Sequence, residues 1–330
     1  MTTRELLNSF TRLSALVVGD ICLDRWCAYD PDIAEPSRET GLPRVGVIHT
    51  DVTPGAGGTV ANNLAALRAR KVSVLGTVGK DGFGWELSRA LKLRGIGTEL
   101  LVSVADQPTF TYTKLINSKT GEEDKPRLDF VYARALAAPV EKVMLERLRA
   151  WAPKFDIVIV ADQAETNQGG VVTPAMRDLV AELAHRHPEK AFWADSRKRS
   201  HLFRKVIVKP NQAEADAACM HLFGEVDYQK LRHHLETRWM VITFGPKGAL
   251  VVKERGEVWA HAQPVEKPVD ICGAGDSFTA GAALAYAVTG SPEKAARFGN
   301  LTASITIMKK GTGVASRTEV FEKAPEEAWA

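Results

Sequence analysis

The stretch best equipped for chemistry is Asp270-Ile271-Cys272-Gly273-Ala274-Gly275-Asp276-Ser277-Phe278, followed by the small-residue run Thr279-Ala280-Gly281-Ala282-Ala283-Leu284. It reads as a glycine loop opening a helix. Gly273 and Gly275 leave backbone N–H groups unobstructed, and a helix N-terminus adds positive potential, so the loop can hold developing phosphoryl charge. Phosphoryl transfer to an alcohol needs positioning, charge neutralisation and a carboxylate to take the hydroxyl proton. With Asp276 beside the reacting phosphorus, this segment offers all but the metal. Taken alone, Gly-x-Gly-Asp also reads as an ordinary helix start with Asp276 as its cap.

Other short polar groups follow apolar runs in the same way. Gly19-Asp20 and Asp24 come after the run Ala15-Leu16-Val17-Val18, and Gly55-Ala56-Gly57-Gly58-Thr59 precedes Val60-Ala61-Asn62-Asn63-Leu64. Lys209-Pro210-Asn211-Gln212-Ala213-Glu214 follows Val206-Ile207-Val208; by itself the Asn211/Glu214 spacing is a helix capping box. Gly79-Lys80-Asp81-Gly82-Phe83-Gly84 reads as a structural turn.

Taken in order, these motifs resemble the ribokinase-like (PfkB) carbohydrate kinases. Asp-x-x-Gly-Ala-Gly-Asp-Ser-Phe is similar to that family's C-terminal signature, and Gly55 to Leu67 to its N-terminal one. The resemblance implies that Asp276 is the catalytic base and that Gly273, Ala274 and Gly275 form an anion hole. It also implies ATP as phosphoryl donor, with contacts from Asp195, Lys209, Asn211, Thr243, Gly245, Lys247, Gly248, Asn300 and Ser304. Asn211 and Glu214 would organise Mg²⁺, largely through water, since hard oxygen ligands suit that ion. Asp270 and neighbouring carbonyls would hold a monovalent cation such as K⁺. The acceptor sugar would meet Asp24, Gly57, Gly58, Thr59 and Asn63. Thr59 stands where relatives usually carry a sugar-binding asparagine.

Leu23-Asp24-Arg25-Trp26, Ser37 to Pro43, Lys114, Arg127-Leu128-Asp129-Phe130 and Gly311 to Ser316 resemble the heptose 7-phosphate kinase branch more than ribokinase or fructokinase. A phosphorylated acceptor needs cationic contacts; Arg25, Arg38, Arg44, Lys114 and Arg127 are the suppliers expected, with Asp129 beside them. The same residues also fit a solvated, salt-bridged lid. That branch usually has Asp-Tyr-x-Lys-Gly where this chain has Asp162-Gln163-Ala164-Glu165-Thr166. Arg197-Lys198-Arg199 reads as an exposed loop or an ATP-phosphate contact.

To hold such groups at one end of a sheet, the chain must alternate strands and helices. Strand-like apolar runs recur at 15–18, 72–75, 157–160, 192–194, 206–208, 241–243 and 249–252, with helix-like stretches at 59–68, 84–93, 140–150, 174–185 and 212–220. The expected fold is therefore α/β, a three-layer sandwich around a mostly parallel sheet, in one kinase domain over 1–330. Segments 29–51 and 109–130 break the alternation and are expected to project as a small β lid, or as a peripheral hairpin. The strand around Phe110, Tyr112 and Leu115 suggests a homodimer formed through that lid. The last twelve residues read as a frayed end.

Composition sets the remaining bounds. Forty-three Lys and Arg against forty Asp and Glu leave a net charge of +3, too balanced to make nucleic acid the default partner. Four cysteines without Cys-x-x-Cys spacing, and eight histidines without His-Glu-x-x-His, speak against structural zinc and a disulfide framework. No run approaches the roughly 18 apolar residues of a membrane span, so no membrane partner and a cytoplasmic location are expected. A P-loop is absent, and Gly55-x-Gly57 lacks a third glycine at Val60, which excludes the P-loop and weakens a dinucleotide-binding reading. Kinases for an unphosphorylated sugar or a nucleoside, and a catalytically silent sugar- or nucleotide-binding regulator, stay open.

Overall fold

The computed structural model describes residues 1–33, 35–324 and 329. Helix α1 (Thr3–Phe10) precedes β1 (Ser14–Gly19) and β2 (Ile21–Tyr29); β3 (Val47–Ala56) returns and runs directly into α2 (Gly57–Ala66). Then come β4 (Lys71–Leu75), β5 (Thr77–Gly79), α3 (Gly82–Leu93), β6 (Val102–Val104), β7 (Thr111–Asn117) and β8 (Leu128–Phe130). The α/β alternation resumes with α4 (Ala138–Trp151), β9 (Ile157–Asp162), α5 (Pro174–Arg186), β10 (Ala191–Ser196), β11 (Ile207–Val208), α6 (Gln212–Phe223) and α7 (Tyr228–His234). The chain closes with β12 (Trp239–Thr243), β13 (Ala249–Lys253), β14 (Glu257–Ala260), α8 (Ala274–Thr289), α9 (Pro292–Thr306) and α10 (Arg317–Lys323).

The central sheet has the order β11-β10-β9-β1-β4, every pair parallel. Its strands are apolar on both faces because both are covered. Along β1, Ala15 and Val17 enter one core with α1, α2, α8 and α9, while Leu16 and Val18 enter another with α4, α5 and α6. Strand β9 divides likewise, Ile157 and Ile159 against Val158 and Val160. That alternation makes the three-layer sandwich the sequence implied. An antiparallel sheet β12-β13-β14 continues it through a bridge between Asn211 and Thr243.

A separate four-stranded sheet of order β3-β2-β7-β8 carries the segments expected to project as a lid. It begins earlier than expected. Residues 21–29 are already in β2, and most of 30–46 is irregular, because β2 pairs along its length with both β3 and β7. The Phe110–Leu115 strand is not a free apolar face, since Phe110 and Leu115 are buried within the chain and Tyr112 is partly covered.

The C-terminal end is also better ordered than expected. Residues 317–323 form α10, and Trp329 is buried against Phe298, its indole N–H donating to Thr3 Oγ1 at 2.9 Å. Residues 325–328 and 330, part of the segment expected to fray, lie outside the described residues.

Candidate active site

Ligands of open parallel sheets sit beyond the carboxyl ends of the strands, and the polar residues singled out above gather there. Gly273 begins α8 with φ of 75°, a left-handed conformation that suits glycine and turns the loop sharply into the helix. Asp276 is three residues on, in the first turn. It is not a cap: no donor among the described residues bonds its carboxylate, and Gly273 occupies the cap position. Burial pushes its carboxyl well above the ordinary carboxylate range, helped by the negative charge of Asp195 and opposed by Lys209.

Two cavities meet at this residue. Gly273, Asp276 and Gln163 line both.

The larger cavity, about 640 Å³, has one polar and one apolar side. Asp195, Lys209, Asn211, Glu214, Thr243, Gly245, Gly248, Asn300 and Ser304 line it together with Ala274 and Gly275. Val265, Pro268, Ile271, Ala303 and Ile307 add an apolar stretch to its lining. Lys209 Nζ lies 3.0 Å from Asp195 Oδ2, and Thr279 Oγ1 donates to the same oxygen at 2.9 Å. Lys247 is exposed and outside the lining: the turn Gly245–Lys247 points it to solvent, correcting its assignment as a cofactor contact.

Asn211 and Glu214 do form the capping box of α6, with Asn211 N–H donating to Glu214 Oε2 at 2.8 Å and Glu214 N–H to Asn211 Oδ1 at 2.9 Å. Each still lines the cavity. The described residues contain no cluster of three or more His, Cys, Asp or Glu able to cage a metal. One carboxylate and one amide at a cavity wall fit an ion that keeps most of its water, as Mg²⁺ does. Asp270 lies in the loop before α8, its Oδ1 accepting from Cys272 N–H at 2.9 Å within that loop and its Oδ2 from Gly311 N–H at 3.1 Å, which ties the loop to the segment after α9.

The smaller cavity, about 150 Å³, lies under the lid. Of the expected acceptor contacts, Asp24, Arg25, Thr59, Lys114 and Arg127 line it. Burial raises Asp24 to about 7, with Lys114, Thr312 and Arg127 opposing. Gly55 packs so closely against Asp24 that a Cβ there would stand 2.3 Å from Oδ1. Thr59 spends its hydroxyl proton on Pro54 O at 3.2 Å.

Other expected contacts turn inward. Asn63 donates to Thr59 O at 3.1 Å and accepts from Ala315 N–H at 3.2 Å, so its buried amide serves packing. Gly57 and Gly58 are buried beside Ile21 and Pro54 and line neither cavity. Asp129 holds Arg127 at 2.6 Å from outside the lining. Arg38 and Arg44 stay on the irregular lid segment, Arg44 donating to Glu35 O at 2.9 Å.

Trp26, Ala56, Tyr112, Gln163, Cys272 and Thr312 were not among the expected contacts but line it too, as does Arg197, which was expected in an exposed loop or at an ATP phosphate. Arg197 matters most. It leaves the end of β10 two residues after Asp195 but turns to the smaller cavity, where Glu165 holds it at 2.9 Å. Tyr112 Oη donates to the same Glu165 oxygen at 3.1 Å, and the Arg127 guanidinium lies 4.8 Å over the Tyr112 ring. Four cations thus surround the cavity, each with its own carboxylate: Arg25 with Glu86, Lys114 with Glu123, Arg127 with Asp129 and Arg197 with Glu165. Arg25 and Lys114 sit mid-strand in β2 and β7, while Arg127 and Arg197 lie in loops beside β8 and β10, so no single chain spacing brings them together.

A buried network fixes the wall between the cavities. Asp20 accepts from Gln163 N–H at 2.8 Å and Val171 N–H at 2.9 Å, while Asp162 pairs with Arg199 and accepts from Ser196 Oγ at 2.7 Å. Asp81, expected in a structural turn, caps α3 by accepting from Gly84 N–H at 2.7 Å.

Comparison with known proteins gives a consistent result. A sequence model described as pfkB family carbohydrate kinase matches residues 15–319. Bifunctional protein HldE of Rhodopseudomonas palustris (strain HaA2) is 27% identical over 325 residues, covering 96% of this chain and 64% of that protein. HldE of Shewanella amazonensis is 28% identical over 322 residues with the same two coverages. The chain therefore spans about two thirds of the length of these curated relatives. Among solved structures, Arabidopsis thaliana ribokinase complexed with ribose and ATP superposes with a TM-score of 0.69 at 19% identity, covering 94% of this chain and 98% of that one. Escherichia coli phosphofructokinase-2 in complex with substrates and products gives 0.69 at 20% identity, covering 94% and 97%; both establish the ribokinase-like fold. With the matched span running from β1 into α10 and enclosing both cavities, the chain belongs to the pfkB family of carbohydrate kinases.

Proposed function

We propose that this kinase transfers the γ-phosphoryl group of ATP to a hydroxyl of a phosphorylated sugar, with heptose 7-phosphate the leading candidate. The observation carrying the reading is the placement of Asp276 and Gly273 on the wall shared by a nucleotide-sized cavity and a small cavity surrounded by four cations. The similarity to HldE proteins supports the heptose class.

In this reading the nucleotide base lies against the apolar stretch near Ile271 and Ile307, and its phosphates run toward Lys209 and the α8 N-terminus. Asp24 holds an acceptor hydroxyl, and Asp276 takes the proton of the attacking one. The backbone N–H groups of Gly273, Ala274 and Gly275 stabilise the transferring group. Mg²⁺ bound with the nucleotide would neutralise phosphate charge, with Glu214 and Asn211 as its water-mediated holders. A monovalent cation such as K⁺ would act through the loop that Asp270 ties down. The acceptor's own phosphate meets Arg127, Lys114, Arg25 and Arg197.

One observation favours a second reading. The acceptor cavity is only about 150 Å³ and each of its cations already has a carboxylate partner, which also suits an unphosphorylated sugar. ADP release with Mg-ATP and a panel of heptose 7-phosphate, fructose 6-phosphate, fructose, ribose and adenosine, with Asp276→Asn as blank, separates the two. Turnover confined to unphosphorylated acceptors sinks the first reading. Nucleotide binding without any turnover would make the protein a silent binder.

The outer lid strand β3 exposes Val47 and Ile48, which supports a homodimer formed through the lid. One kinase domain over 1–330, with lid segments reaching from β2 to β8, accounts for both cavities. Among the described residues no helix is long and apolar enough to cross a membrane. The four free cysteines support action in the reducing cytoplasm.

A further inference from the structure

On the far side of Arg197 lies another cavity, of about 520 Å³, outside the two already described. One wall is a face of α6, where Glu214, Ala217, Ala218 and His221 follow helical spacing and the two alanines leave the space open. The opposite wall is the chain after β10, from Arg197 to Leu202. Glu214 is the one carboxylate among the described lining residues, against Arg197, Lys198 and Arg199 and two histidines.

Further basic side chains stand around it. The rings of His201 and His221 lie 5.2 Å apart, and Arg204 Nη2 is 2.9 Å from His234 Nε2. Burial depresses the His201 pKa, and His221, His234, Arg204 and Arg177 depress it further, so α5, α6 and α7 all direct positive potential toward this ring. Arg199 is committed to Asp162 and Arg197 to Glu165, whereas the Lys198 ammonium rests on a carbonyl, Glu165 O, at 2.8 Å. Three basic side chains against one carboxylate leave the lining with more cations than anions, and a concave site of that kind concentrates counter-ions.

We propose that this cavity binds a small phosphate-bearing anion through Lys198, Arg199, His201 and His221, and that its occupancy weakens acceptor binding by drawing on Arg197. Arg197 lines both this cavity and the acceptor cavity, so a second anion competes for the same guanidinium. The effect on the acceptor rests on the kinase reading above; the binding itself does not.

The test uses inorganic pyrophosphate as probe and the whole chain, with the nucleotide cavity filled by saturating MgADP. Calorimetry on the wild type should show a binding event that weakens at least tenfold in the Lys198→Met/His221→Asn variant. Should that variant unfold, Ala217→Glu places a carboxylate in the cavity from an exposed helix position and should weaken binding similarly. In turnover assays pyrophosphate should raise the acceptor KM of the wild type and leave that of the variant unchanged, with kcat and ATP KM alike in both without the anion. Equal pyrophosphate affinity in wild type and variants, or no binding to the wild type, overturns the proposal. If no acceptor is turned over, the kinase reading of the acceptor site fails while calorimetry still decides the anion site.

Discussion

Lys209 Nζ stands 3.0 Å from Asp195 Oδ2 in a pair almost closed to solvent, and both charges act on Asp276, the lysine lowering its pKa and the aspartate raising it. The ammonium is therefore placed to balance two carboxylates before any phosphate arrives.

Removing that ammonium should be costly. Lys209→Met leaves Asp195 buried without a counter-charge and is expected to destabilise the fold by about 3–5 kcal/mol. The double variant Lys209→Met/Asp195→Asn should recover part of the loss. Urea denaturation of the two single variants and the double variant completes the cycle; additive losses would show that the pair is not coupled.

Turnover should depend on the ionisation of Asp276. A base acts unprotonated, and burial holds this carboxyl well above the ordinary range. The value of kcat/KM should thus fall as pH drops through an apparent pKa higher than that of a free carboxylate. Asp276→Asn should abolish turnover and retain nucleotide binding. A flat profile down to pH 5 would contradict the role of a raised carboxyl.

Gly55→Ala tests the acceptor side without removing a charged residue. The added methyl must displace the Asp24 carboxylate, whose Oδ1 would lie 2.3 Å away. Acceptor KM should rise roughly tenfold, corresponding to about 1.4 kcal/mol of lost binding, while ATP KM stays constant. An equal rise in both constants would point to general disruption.

Arg197→Met distinguishes acceptor from nucleotide contact. For a phosphorylated acceptor KM should increase about 10-fold or more, as expected for loss of a charge-assisted hydrogen bond worth roughly 1.5–3 kcal/mol, with ATP KM unchanged. A selective rise in ATP KM would return Arg197 to the nucleotide side.

Glu319 gives the fold an acid-sensitive latch. Although burial pushes its carboxyl up, hydrogen bonds from Lys309 and Ser316 pull it down to about 2 from an ordinary 4.5. Between those values the unfolded chain binds the proton that the folded one refuses. The contribution is full above pH 4.5 and fades as pH falls toward 2. Glu319→Gln should flatten the acid limb of stability in that window. At neutral pH it should cost up to about 1 kcal/mol, because glutamine keeps the capping box and only the part-exposed ion pair with Lys309 is lost. Thermal melts of both proteins between pH 2 and 7 check this.

Much of the site was legible because its signals are local. The glycine loop sets the α8 turn over three residues, the Asn211/Glu214 box closes within one helical turn, and double-sided apolar strands declare a parallel sheet covered on both faces. Such features depend on neighbours in the chain, so spacing and residue type determine them.

Orientation was decided elsewhere. Arg197 faces the smaller cavity because Glu165, from the loop after a different strand, holds it there, and Asn63 turns inward because Ala315, 252 positions away, donates to its amide. Trp329 docks because Phe298 and Thr3, at opposite ends of the chain, meet beside it. A side chain's direction at a strand end or on a helix face depends on which distant partner satisfies it. By itself the sequence determined the chemistry on offer and the layers carrying it; tertiary packing alone decided which cations face the smaller cavity and which polar groups serve the core, because buried polar atoms must find partners wherever the fold brings them.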